Sequence, residues 1–492
     1  MRILHTSDWH LGHTLHGLPR EREHQRFLQW LLEVLARERP DALLITGDVF
    51  ETQNPPARAE RAWFDFLAQA RRARPGLSVL AIAGNHDAPA RLEAPAPLLR
   101  SLDVRVVGTA REPGSAFDPE RLLVPLRRVG RPEVAAWVAA VPFLRPSDLP
   151  PAPAGVDPER AEAEQVRAVY ARVLELARAR RQPGQALLAT GHLPLGGALH
   201  SEGSERAVPI GRVRELPLDL FPEDLDYVAL GHLHLAQAVG GREAVRYAGS
   251  PIPLSLSERD YVHQVVIVDL PGGEASGPAA IRTLPVPRSV ELLRLPDGEP
   301  GAVEEVLATL RALPAAGPAS GGDAAGPAGG GFAAGAPDAC QDWPWLEVRV
   351  RLRTPDPALR RRVEEALEGR AARLVKLSVL REETPREGEA PAAASGDLRE
   401  LAPLDVLRRL WEREQAEALP AGLEAAYLEL VQEARAEAAR EEAVATPPPP
   451  ALEAQALEAP ALEAPALEGP APQAEPSPLP TPRADLFGVS RP

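Results

Sequence analysis

Four times in this chain, a short apolar run meets a glycine and then, at once, a side chain able to bind a metal. These are Ile45-Thr46-Gly47-Asp48, Ile82-Ala83-Gly84-Asn85, Ala189-Thr190-Gly191-His192 and Ala229-Leu230-Gly231-His232. An earlier run, residues 3–6, ends without glycine in Ser7-Asp8-Trp9-His10. Apolar runs of four to six residues bounded in this way predict strands buried on both faces, as in parallel sheets covered by helices. Between the first two runs, Phe27, Trp30, Leu31, Val34 and Leu35 fall on one face of a helix. Strand–helix alternation predicts a layered α/β domain over residues 1–285, and later runs near 245–248 and 264–270 add further strands. Ligands collect at the C-terminal ends of such strands, and glycine there permits a sharp exit that projects the next residue. One rim is therefore expected to carry Asp8, His10, Asp48, Asn85, His192, His232 and His234.

Spacing adds chemistry. Asp8 with His10, and His232 with His234, are i, i+2 pairs, whose side chains share one side of an extended segment. His86 follows Asn85 directly and is expected to point elsewhere, as a separate acid. Two Asp, one Asn and four His exceed what one tetrahedral zinc with an open position needs. The set suits two octahedral-leaning divalent ions sharing a carboxylate, the arrangement of two-metal phosphoester hydrolysis. The other histidines, His5, His13, His16, His24, His200 and His263, lack the strand-end placement and are expected to be structural.

The formal charge of −15 speaks against an anionic substrate only if it lies in the catalytic part. It does not: residues 1–290 total −1, residues 291–400 total −5 and residues 401–492 total −9. One cysteine, Cys340, excludes an internal disulfide framework and a Cys-based zinc site, and fits a reducing compartment. No apolar run approaches the roughly 18 residues of a membrane span, and the N-terminus is too polar for a signal peptide. A soluble, cytoplasmic protein is expected.

Beyond Pro285-Val286-Pro287 the pattern changes. Residues 286–385 predict a small α/β domain interrupted by a Gly/Ala-rich, flexible insertion at 313–341. A polar linker near 385–400 leads to two helical stretches within 400–442, with Leu404, Leu407, Leu410 and Trp411 on one face of the first. Residues 443–492, rich in proline with Ala-Leu-Glu-Ala repeats, are expected to be disordered.

The ordered motifs D-x-H, G-D-V-F, G-N-H-D, G-H and G-H-L-H resemble those of the calcineurin-like metallophosphoesterase family. Pro142-Phe143-Leu144-Arg145-Pro146, the segment from Gly191 to Gly197, Ser204-Glu205-Arg206 and the run 247–258 are similar to the SbcD-type DNA nuclease subunits within it. The resemblance covers roughly the first 430 residues. It implies a four-layer β-sandwich flanked by helices. It implies Asp8, His10, Asp48 and His234 on one metal, and Asp48, Asn85, His192 and His232 on the other, with Asp48 bridging and manganese as the ion. His86 would protonate the leaving 3′ oxygen. Relatives often carry another histidine three residues after the bridging aspartate; Glu51 stands there, and no role is carried over to it.

The resemblance further implies a 3′–5′ exonuclease on duplex DNA and an endonuclease on single strands and hairpins, serving repair, replication and recombination near the nucleoid. Residues 286–385 would cap the DNA. The helices would grip an SbcC-type, SMC-like ATPase, with a homodimer inside a heterotetramer and no membrane contact. The stripe Trp63, Phe66, Leu67 and Ala70 is either core or part of that dimer. Asp87 reads as a helix N-cap, and Tyr247-Ala248-Gly249-Ser250 as either a substrate contact or a strand-ending turn. The alternative function is a small-molecule, cyclic-nucleotide phosphodiesterase or a phosphatase of the same superfamily. The Ser/Thr phosphatase pattern fails, however, because its phosphate-binding Arg is missing from Gly47–Thr52 and Ala83–Asp87. A non-catalytic scaffold is the third possibility.

Overall fold

Two six-stranded sheets carry the first 285 residues of the computed structural model. The structure describes residues 1–111, 117–152, 157–200, 215–271, 277–316 and 343–381, with scattered positions between 404 and 427. The first sheet runs, in spatial order, Ala280–Pro285, Gln264–Asp269, Arg2–Thr6, Ala42–Thr46, Ser78–Ile82 and Val104–Val107. Its last four strands are parallel, and the first two pair antiparallel. The second sheet runs Gln237–Val239, Arg242–Tyr247, Tyr227–Gly231, Ala186–His192, Val134–Ala140 and Leu123–Arg127. Its four inner strands are parallel, and both edge strands are antiparallel.

Side chains alternate across a strand, so each central strand serves two cores. Ile3, Leu44, Leu80, Ile82, Val266 and Val268 join Leu188 and Val228 in the core shared with the second sheet. Their neighbours Leu4, Leu43, Ile45, Val79, Ala81, Val265 and Ile267 pack against the helices Glu21–Glu38 and Ala57–Ala73. The helix Pro158–Arg180 packs Val166, Val169, Tyr170, Val173 and Leu174 on the second sheet. This is the expected four-layer α/β sandwich. Burial on both faces explains why the strands are continuously apolar.

Trp9 sits edge-on to Phe27, Trp63 and Phe66, with centroids 5.5, 5.6 and 5.1 Å away. Trp63, Phe66, Leu67 and Ala70 are all buried here, so the stripe is core. Beneath the rim, this apolar wedge fixes the loop that carries Asp8 and His10.

A smaller parallel sheet follows. Leu292–Leu295 and Gly301–Ala302 pair with the two halves of one edge of Trp345–Leu352, and Arg373–Arg381 pairs with the other edge. Helices Val303–Arg311 and Leu359–Leu367 cover one face, burying Val306, Leu310, Val363, Leu346, Val348 and Val350. The opposite face presents Trp345, which packs with Leu292, Val290, Leu256 and Leu15 at the junction with the larger domain.

Beyond residue 392 lies a separate unit. Leu404, Leu407, Arg408 and Trp411 are helical there, as are residues 422–424 and Tyr427, and Arg408 pairs with Glu424. Leu410, Cys340, Ser204-Glu205-Arg206, most of the 313–341 insertion, the 385–400 linker and the 443–492 tail lie outside the described residues. Among the described residues, no helix is long and apolar enough to cross a membrane.

Candidate metal centre

The five strand ends converge, but by a different backbone route from the one spacing suggests. Asp8 and His10 do not lie in an extended segment: the strand ends at Thr6, and both residues adopt left-handed φ, 54° and 47°. Asp48 at 47° and His232 at 102° share that conformation. Side chains rarely adopt it, and each instance costs about 1–3 kcal/mol where surrounding structure enforces it. The enforcement is visible. Asp8 N donates to Gly47 O at 3.1 Å, His10 N to Asp48 O at 2.9 Å and Leu11 N to Val49 O at 2.9 Å. The two loops thus zip together, and the left-handed turns aim their side chains at one point.

The glycines need a second correction. Of the four that precede candidate ligands, only Gly47 has a positive φ. Gly84 and Gly231 are required by space: an added Cβ would overlap the Asp48 carboxylate in one case and the Thr46 carbonyl in the other.

Asp8, His10 and His234 bring potential ligand atoms within 4.8 Å of one another. So do Asp8, Asp48 and His192, and also His10, Asp48 and His86. Asp48 Oδ2 lies 3.6 Å from His10 Nε2 and 3.3 Å from His192 Nε2, which places it between the two halves of the cluster. Asn85 Oδ1 lies 2.9 Å from His192 Nε2 and 3.1 Å from His232 Nδ1. All seven expected side chains therefore meet at one centre. His86 joins its edge, 4.8 Å from the His10 ring, rather than pointing away. Its Nδ1 donates to the Glu51 carbonyl at 2.6 Å, leaving Nε2 as the nitrogen free for other partners.

Three of the inward imidazoles are braced from behind. His10 Nδ1 meets Glu51 Oε2 at 2.9 Å, His234 Nδ1 meets Glu258 Oε1 at 2.8 Å, and His192 Nδ1 donates to Thr46 O at 2.8 Å. Such partners fix ring orientation, so that the opposite nitrogen faces the centre. Backbone donors brace the carboxylates: His232 N reaches Asp8 Oδ1 at 3.0 Å, and His86 N reaches Asp48 Oδ1 at 2.9 Å.

The electrostatics follow from crowding charge out of water. Burial raises the Asp8 carboxyl despite its histidine neighbours. Burial works the same way on Asp48, but His192, His10 and His86 outweigh it and hold that carboxyl well below the ordinary range. Burial would lower His192; Asp48 and Asp8 overcome it and raise the imidazole to about 9. Burial and the neighbouring His192 drive His232 down to about 3. Glu51 and Glu258 are each held at about 2, because His10 and His234 respectively outweigh their burial.

Three carboxylates carry roles that spacing did not reveal. Glu51 and Glu258 support histidines from distant segments. Asp87 is not a helix cap: the short helix Pro89–Glu93 has Ala88 at its N-cap and no side-chain cap. Instead, the fully buried Asp87 carboxylate accepts from Phe50 N at 2.9 Å, Gly84 N at 2.9 Å and Val49 N at 3.2 Å. It ties the loop bearing Asp48 to the loop bearing Asn85. The 247–250 turn is structural: Tyr247 OH donates to Leu193 O at 2.7 Å, and Ser250 N donates to His234 O at 3.1 Å. His5 is likewise structural, bonded to Tyr227 and Thr46 at 2.9 Å each.

The donor set fits divalent ions. Carboxylate, amide oxygen and imidazole converge in one buried centre, and His10 Nε2 is buried without a hydrogen-bond partner. Two family models match the chain: calcineurin-like phosphoesterase over residues 1–236, and the type 5 capsule protein repressor C-terminal domain over residues 288–415. The SbcD component of the SbcCD nuclease of Rhodobacter capsulatus is 42% identical over 397 residues, spanning 80% of this chain and 90% of that protein. Its Escherichia coli K12 counterpart is 37% identical over 310 residues, 62% of this chain and 70% of that one. The Bacillus subtilis 168 counterpart is 34% identical over 280 residues, 56% and 68% respectively. With both domains matched and most of the chain aligned, this protein belongs to the SbcD family of SbcCD nuclease components, within the calcineurin-like, divalent-metal phosphoesterases.

Proposed function

We propose that this chain is the DNA-cleaving component of an SbcCD-type complex. It would act as a 3′–5′ exonuclease on duplex DNA and an endonuclease on single strands and hairpins. The observation that carries this reading is the convergence of seven donor side chains on one buried centre, in which His10 Nε2 has no hydrogen-bond partner. In this reading Asp8, His10, Asp48 and His234 hold one ion, and Asp48, Asn85, His192 and His232 hold the other, with Mn2+ as the metal. When bound, the ions supply Lewis-acid polarisation of the phosphodiester and water activation at neutral pH.

The chain's own groups do the rest. Asp48 lies between the two histidine sets and fits the shared position. Glu51 orients His10 through its carboxylate and His86 through its carbonyl. His86 Nε2 then delivers a proton to the departing 3′ oxygen. Residues 1–285 form the nuclease domain and residues 286–385 the DNA-capping domain. Residues 400–442 hold an SbcC-type, SMC-like ATPase, and two copies of this chain pair inside a heterotetramer at the nucleoid.

His86→Ala tests the assignment. Hairpin and duplex cleavage in Mn2+ should fall by about 100- to 10,000-fold, with bound metal unchanged. Undiminished cleavage would overturn the role of His86. Preferential hydrolysis of a cyclic nucleotide over a DNA hairpin would favour a small-molecule enzyme instead.

A further inference from the structure

Glu258 is fully buried, yet it belongs to a segment far in sequence from the rim. Its Oε1 meets His234 Nδ1 at 2.8 Å; its Oε2 accepts from Leu254 N at 2.8 Å and from Ser250 Oγ at 3.4 Å. The carboxylate therefore does two things at once. It sets the ring of one candidate ligand, and it closes residues 250–258 into a tight strap.

The other side of that strap faces the smaller domain. Leu256, two residues before Glu258, shares one buried cluster with Trp345, Leu292 and Val290 of the smaller domain and with Leu15. Arg20 grips the same strap, with Nη1 donating to Pro253 O at 2.6 Å. Its guanidinium lies 5.1 Å from the centroid of the Trp345 ring. Glu23 holds Arg20 in place, with Nη2 to Oε2 at 2.7 Å, and both residues are buried. A buried ion pair contributes little net stability but has one geometry, so it suits fixing a position. A continuous path thus runs from Trp345 through Leu256 and Glu258 to His234, with Arg20 locking the strap against the same tryptophan.

We infer that Glu258 is a positioning residue for His234, and that the 250–258 strap makes ion binding depend on how the smaller domain seats on the nuclease domain through Trp345. The inference rests on the metal reading above and adds to it a mechanical link between the two domains. Displacement of Trp345 releases Leu256 and loosens the strap. The His234 ring then loses its fixed orientation, with no residue of the centre itself changed.

The test titrates the full-length chain with Mn2+ alone and follows the signal of the free ion by electron paramagnetic resonance. Glu258→Gln should weaken ion binding by about 10- to 100-fold, the usual effect of losing a carboxylate behind a ligating histidine. Its cleavage activity should recover at saturating Mn2+. Trp345→Ala should weaken ion binding several-fold, and Trp345→Phe should restore it to within about twofold, by retaining a ring against Leu256 and Arg20. Thermal unfolding of the ion-free variants separates this from a merely structural role. Should Glu258→Gln not fold, Trp345→Ala against Trp345→Phe decides the matter. Wild-type affinity in a folded Glu258→Gln would overturn the positioning role. Wild-type affinity in Trp345→Ala would overturn the link between domains. A wild-type chain that binds no Mn2+ would overturn the metal reading, and this inference with it.

Discussion

At the scale of single residues, the centre depends on side chains that place other side chains. Asp87 illustrates this. Its carboxyl is raised by burial and by nearby Asp48, against the pull of backbone donors at Gly84, Phe50 and Val49. A group so placed is costly in itself and is kept because three buried N–H groups of two separate loops would otherwise be orphaned. Asp87→Ala should lower unfolding free energy by about 2–3 kcal/mol, measured by chemical denaturation of the ion-free protein, since it leaves those donors unpaired. Asp87→Asn, which keeps an acceptor, should cost less. An unchanged midpoint for Asp87→Ala would show that water replaces the carboxylate. The D-x-H and G-H-L-H spacings indicated which side chains gather, while Glu51, Glu258 and Asp87 were not legible. Nothing local marks the bonds that matter most here, Glu51 to His10, Glu258 to His234 and Asp87 to Phe50, which span 24 to 41 residues.

At the scale of elements, strands were the easiest to read and the turns beyond them the hardest. The runs at 42–46, 78–82, 186–190 and 227–230 became strands because burial on both faces demands uninterrupted apolar side chains. The left-handed turns at Asp8, His10, Asp48 and His232 follow from loop-to-loop hydrogen bonds that no local pattern encodes. In the smaller domain, Glu347 lies on the sheet face opposite the helices. It accepts from Arg294 Nε at 2.6 Å and from Ser378 Oγ at 2.8 Å, joining three strands. Burial would raise this carboxyl, but these donors outweigh it and lower it below the ordinary 4.5. The sign follows: a depressed carboxyl stabilises the fold above pH 4.5, and that contribution is lost as pH falls through the lower folded value. Glu347→Gln should remove this part of the acid dependence. It should also cost about 1–2 kcal/mol at neutral pH, read from unfolding at pH 7 and pH 3. Equal losses at both pH values would mean that the carboxylate charge contributes nothing to stability.

At the scale of the whole molecule, charge and function separate along the chain. Residues 1–290 are near neutral at −1, so the rim that would meet phosphate is not opposed by the overall −15. The acidic remainder lies in the smaller domain, the helical positions around 404–427 and the tail. Truncation at about residue 400 should leave Mn2+ binding intact and abolish co-purification of the SbcC-type ATPase. Equal recovery of that ATPase by the full-length and truncated chains would refute the assignment of residues 400–442.

The sequence alone determined seven of the twelve strands of the two large sheets, the layered α/β class and the list of side chains at the rim. Those depend on local apolar patterning and on which residue follows each strand, and both are written consecutively along the chain. Only the tertiary structure decided why Gly84 and Gly231 must lack a side chain, and that Trp63 and Phe66 are core. It alone revealed the carboxylates that hold the histidines. These are properties of space shared between segments far apart, where packing distance, desolvation and hydrogen-bond geometry select the outcome.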